Sequence, residues 1–165
     1  MSRINKTLEQ KANEILVKND MLKIPVNLLK IADNHQIEVY YRDLPNSTSG
    51  AIRFNHTKNR FQILIQKSDS ERRQRFTLAH ELGHFFLHNE MLKGDGAIHV
   101  DYLYRSNNMD EDKEREVDYF AGALLMDKNL LETLYEINPS IRELAETFEV
   151  SESAMTVRLT VLGLI

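Results

Sequence analysis

Three of the chain's six histidines, His80, His84 and His88, fall within nine residues. The first two belong to His80-Glu81-Leu82-Gly83-His84, an H-E-x-x-H pattern. On a helix, residues i and i+4 lie one turn apart on one face, so both imidazoles reach a single ion. Glu81 is offset from His80 by about a quarter turn, at roughly 100° per residue. It can therefore face a metal-bound water without being a ligand itself. The chain has no cysteine, which excludes thiol catalysis and every Cys-based metal site. A metal centre here must be built from histidine and carboxylate.

A catalytic zinc takes three protein ligands and leaves one position open. The longer pattern, with a third histidine six residues after the second, fails because Leu87 and Glu90 occupy the decisive positions. The third ligand must come from elsewhere, and the best source is the segment Glu111 to Met126. Its apolar stripe is Val117, Phe120, Ala121 and Leu124, and Glu114 and Asp118 sit at i and i+4 on the edge of that stripe. Glu114 is the favoured ligand, with Asp118 as an outer acceptor for a ligand histidine N–H. Glu111 shares the face of Glu114 and remains its competitor, while Glu116 points away. His88 reads as structural, or as ordering the rim of the site.

The elements that must position these residues follow from periodicity. Thr7 to Lys18 carries the helical stripe Leu8, Ala12, Ile15 and Leu16. A short helix is expected to open at Pro25. Gln36 to Tyr41, Gly50 to Phe54 and Arg60 to Gln66 read as strands, the last two forming an antiparallel hairpin with Phe61, Ile63 and Ile65 on one face. A long helix starts at Ser70 and runs to about His88. It is apolar nearly all round and so is buried. Gly83 within it points to a close approach by another element. A loop follows from Gly94 to Asn108. Then come helices at about Asp110–Met126, Lys128–Tyr135, Ser140–Phe148 and Ser151–Leu162. This order is an α+β layout.

The chain of 165 residues carries 25 Asp+Glu against 21 Lys+Arg, a net charge of −4, which argues against broad nucleic-acid affinity. Its longest apolar run, Phe120 to Met126, is far too short to span a membrane. The N-terminus has no signal-peptide core, so a cytoplasmic location is expected.

The segment Arg75-Phe76-Thr77-Leu78-Ala79-His80-Glu81-Leu82-Gly83-His84-Phe85-Phe86-Leu87-His88, with Glu114-Arg115-Glu116-Val117-Asp118-Tyr119-Phe120-Ala121 and Leu124-Leu125-Met126, resembles the ImmA/IrrE family of metallopeptidases. The likeness extends to Ile24-Pro25-Val26, Gly50-Ala51-Ile52, Leu144-Ala145 and Val150-Ser151. It implies a mostly helical, zincin-like core with a small antiparallel sheet over residues 1–135, and a helical, HTH-like subdomain over 136–165. It also implies Zn²⁺ held by His80, His84 and Glu114, with Glu81 as general base in peptide hydrolysis. Tyr102, Tyr104, His99 and Arg105 are candidates for the donor that stabilises the oxyanion. The implied partner is a protein substrate, an HTH-type repressor of a mobile element or stress response. Two positions depart from the family: Val117 stands for the usual Ala, and Asp127 for the usual Pro, which leaves the helix end less sharply defined.

Two other readings compete. One is a regulator or toxin–antitoxin component that binds its partner without cutting it. The other is DNA binding by residues 140–165. There Glu143, Glu146, Glu149 and Glu152 outnumber Arg142 and Arg158, a local charge of −4 + 2 = −2, which makes a poor phosphate binder.

Overall fold

The computed structural model describes residues 3–45, 48–93 and 111–165. Its elements are α1 (Arg3–Lys18), α2 (Leu28–Asn34), β1 (Glu38–Arg42), β2 (Gly50–Asn55), β3 (Arg60–Gln66), α3 (Glu71–Lys93), α4 (Glu111–Leu125), α5 (Lys128–Ile137), α6 (Ile141–Phe148) and α7 (Glu152–Leu162). The expected α+β layout is present. No helix among the described residues is long and apolar enough to cross a membrane.

The sheet corrects the expectation of an antiparallel one. Its strand order is β1-β3-β2; β2 pairs antiparallel with β3, but β1 pairs parallel with it. The chain leaves β1, crosses the end of β3 and enters β2 on the far side. Gln66, at that end of β3, holds the crossing: its side chain accepts from Leu44 N and donates to Leu44 O at 3.4 and 2.9 Å. Register is set on the outer face by three partners in a row. Arg53 Nε donates to Gln62 Oε1 at 2.9 Å, and Gln62 Nε2 donates to Glu38 Oε2 at 2.6 Å. On the inner face Phe61, Ile63, Ile65 and Ile52 are buried.

Helix α3 packs on that inner face. Ser70 caps it by accepting from Arg73 N, and Leu78, Ala79, Leu82 and His84 are all buried. It continues past His88, where the expected helix ended, with a break in geometry there (φ −133°, ψ 20°). Against the other side of α3 lies α4, whose stripe Val117, Phe120, Ala121 and Leu124 is fully buried. Helix α1 covers α4 with the expected stripe Leu8, Ala12, Ile15 and Leu16. Helix α2 begins at Leu28 instead of Pro25, because Asn27 supplies the cap by accepting from Lys30 N at 3.0 Å.

Asp127 defines the end of α4 sharply after all. Its side chain caps α5 by accepting from the backbone of Asn129 and Leu130. Ser140 and Ser151 cap α6 and α7 in the same way, and Glu149 between them takes the left-handed conformation. Leu144, Ala145, Phe148, Met155 and Leu159 join the common core. Arg158 of α7, 3% exposed, donates to Met126 O at 2.9 Å and to both carboxylate oxygens of Glu9 in α1.

Candidate metal centre

Helices α3 and α4 pack closely at the H-E-x-x-H turn. A Cβ on Gly83 would come within 3.0 Å of Val117 Cγ1 and 3.3 Å of Phe120 Cδ1. Glycine therefore lets the two helices draw together where His80 and His84 face Glu114, the close approach that Gly83 led us to expect. His80 Nε2 and His84 Nε2 are 3.0 Å apart. Glu114 Oε2 lies 3.4 Å from His80 Nε2, and Glu114 Oε1 lies 3.5 Å from His84 Nε2. One donor atom from each residue falls within 4.8 Å of the other two, a spacing that suits a single ion.

The environment fits a cation. Glu114 Oε1 is buried without a hydrogen-bond partner among the described residues, an expensive position for a carboxylate oxygen unless a cation neutralises it. His80 Nδ1 lies 2.9 Å from Asp118 Oδ1. With Nδ1–H donated to that carboxylate, Nε2 of the neutral ring carries the lone pair, the form a metal takes. For the side chains alone, burial pushes His80 down. Hydrogen bonds to Asp118 and Glu114 and the charge of Glu81 outweigh it and raise the pKa to about 10. Burial and the neighbouring His80 charge lower His84 to about 4. Hydrogen bonding to His80 lowers Glu114, keeping it anionic. Two facing imidazoles thus share one positive charge in front of two carboxylates, where a divalent cation would replace the proton.

Glu81 is 4% exposed. Its carboxylate lies against the start of β2: a Cβ on Gly50 would be 3.2 Å from Glu81 Oε1 and would overlap Thr77 Cγ2. Gly50 is the site residue that sequence reasoning missed. The available signal was a glycine opening a strand, which often marks close backbone approach. Glu111, the competitor for third ligand, is exposed at the first position of α4, and the cluster is formed by Glu114 instead. The His88 ring lies 6.0 Å from that of His84 and outside the cluster. His99, Tyr102, Tyr104 and Arg105 lie outside the described residues.

The chain is 29% identical over 140 residues to metallopeptidase ImmA of Bacillus subtilis (strain 168), covering 83% of this chain and 77% of that protein. The family model described as the IrrE N-terminal-like domain matches residues 32–160. The chain belongs to the ImmA/IrrE family of metallopeptidases.

Proposed function

We propose that the protein is a zinc-dependent endopeptidase in which His80, His84 and Glu114 hold the metal and Glu81 is the general base. The observation that carries this reading is the convergence of two imidazoles from α3 and one carboxylate from α4. When bound, zinc supplies a Lewis acid that brings the pKa of water toward neutrality. Glu81 takes the proton of the attacking water and returns it to the departing amine. Its burial keeps bulk water from competing for that proton. Asp118 orients His80 and holds its Nδ1 proton. Gly50 keeps the edge strand β2 close to the base, so an extended peptide laid along that edge passes Glu81. The donor for the oxyanion belongs to the set His99, Tyr102, Tyr104 and Arg105.

The substrate in this reading is a specific regulatory protein, an HTH-type repressor of a mobile element or stress response, cut in the cytoplasm. Residues 136–165 form an appended helical, HTH-like subdomain that faces protein and not DNA. One placement supports this: Arg158 is turned inward onto Glu9. Metal analysis and cleavage of the natural partner test the whole reading. Wild type carries about one zinc and cuts the partner, while Glu81→Gln keeps the zinc and does not cut. Equal cleavage by both proteins removes Glu81 from the mechanism.

A further inference from the structure

A groove of about 850 Å³ runs between the first turns of α3, the length of α4 and the outer face of α7. Gly122 on α4 lies in its floor. Glycine inside a helix is disfavoured because it loses more backbone freedom than alanine. Gly83 and Gly50 are each explained by an atom that a Cβ would crowd, but Gly122 is not. Among the described residues a Cβ there would meet the side chains of Arg158 and Met126, at the ordinary contact distances of 3.9 and 4.0 Å. Packing among the described residues does not require this glycine, and the room it leaves lies in the groove. Opposite it, Val157 and Val161 stand one turn apart on α7, 60% and 37% exposed.

The rim is cationic. Arg72, Arg73 and Arg115 line it, and Asp118 is the one carboxylate among the described lining residues. Arg73 and Arg115 hold Asp69 and Asp112 in ion pairs whose arginine side chains are 53% and 70% exposed. Such pairs are weak and exchange readily for another carboxylate. The groove borders the metal centre through one shared residue. Asp118 lines it and holds His80. Arg73 Nε donates to Ser49 Oγ at 3.0 Å, next to the Gly50 that abuts Glu81.

We propose that this groove is the sequence-selective subsite of the peptidase. It takes the stretch of protein substrate beside the scissile bond, with a large apolar side chain seated over Gly122 and acidic side chains at Arg72 and Arg115. The proposal rests on the peptidase reading and adds the class of sequence that the enzyme selects.

An array of short random-sequence peptides tests it, probed for binding by zinc-loaded Glu81→Gln protein and for cleavage by wild type. Bound and cut peptides should be enriched in Leu, Ile, Phe or Met flanked by Asp or Glu. Gly122→Leu, added to each protein, should lower binding and cleavage of those peptides about tenfold, the scale of a filled apolar pocket. Arg72→Glu with Arg115→Glu should reverse the acidic preference. Val157→Lys, at an exposed position that leaves the core alone, should repeat the loss of apolar preference if Gly122→Leu folds poorly. Gly122→Ala should melt above wild type, as expected of a glycine the fold does not need. Cleavage with unchanged preferences in the groove variants overturns the subsite and leaves the peptidase standing. Selective binding by Glu81→Gln without any cleavage by wild type upholds the groove and sinks the peptidase reading. No selective binding to any peptide overturns the subsite.

Discussion

Removing the charge of Glu9 should destabilise the protein by about 3 kcal/mol without altering its metal site. Arg158 is 3% exposed and Glu9 13%, so both charges have been taken out of water. The guanidinium donates to both Glu9 oxygens and to Met126 O, and Tyr119 Oη donates to Glu9 Oε1 at 2.8 Å. Burial and that hydrogen bond raise the Tyr119 hydroxyl to about 12, so it stays protonated as a donor. Breaking a buried pair from one side costs roughly 3–5 kcal/mol, because the remaining charge is left uncompensated. Glu9→Gln keeps one acceptor oxygen, and the site is slightly open to solvent, so about 3 kcal/mol is the reasonable figure. For a chain of this size that lowers Tm by about 6–12 °C. Replacing both partners by apolar residues of similar volume, Glu9→Leu with Arg158→Met, should cost less than the two single changes added together, and the remaining loss comes from Tyr119 Oη and Met126 O, which lose these partners. Urea unfolding of Glu9→Leu, Arg158→Met and the double variant, with chelator present, measures the coupling directly. Zinc titration of Glu9→Gln should match wild type, since neither partner touches His80, His84 or Glu114. A loss below about 1 kcal/mol in Glu9→Gln, or a double variant as unstable as the two singles added together, refutes the reasoning.

The remaining predictions concern the centre itself. Asp118→Ala should weaken zinc binding about 10–100-fold by releasing the His80 ring, and Asp118→Asn, which keeps an acceptor, by less. Competition with a chelating dye distinguishes them, and equal affinity in all three proteins would remove Asp118 from the site. Gly83→Val should cost about 2 kcal/mol or more, because its methyls meet Val117 and Phe120 across the helix contact. Metal affinity should fall with it as Glu114 is pushed away from the histidines. With zinc removed, His80 has a folded pKa of about 10, above the ordinary 6.5. Its contribution is present below pH 6.5 and is lost as pH rises through 10. His84 is depressed to about 4, so its contribution is present above pH 6.5 and is lost as pH falls toward 4. Together they place a stability maximum of the chelated protein near pH 6.5, which zinc should abolish. Calorimetry at neutral pH in buffers of different ionisation heat should show about one proton released per zinc bound.

Local spacing made the centre legible, and distance in sequence hid what surrounds it. His80 and His84 could be read because four residues on a helix is a geometric statement. Glu114 and Asp118 followed from the same period on a second helix, although acidic residues in a first turn are also favoured by the helix dipole alone. Only the contact between the helices separates Glu114 and Asp118, which meet histidines, from Glu111, which does not. The β2–β3 hairpin was legible from its turn residues. The parallel pairing of β1 was not, because it depends on Gln66 gripping a crossing loop 22 residues away and on the row Glu38, Gln62 and Arg53. Arg158 shows the same limit most plainly. In sequence it is a sparse cation on a helix that resembles a DNA reader. Its partner is Glu9, 149 residues earlier, and that pairing turns the charge inward. With Arg158 turned inward, the outward side of α7 keeps Glu152, Ser153, Thr156, Val157, Thr160 and Val161 and no cation, so one long-range ion pair removes from this helix the charge that phosphate binding would need.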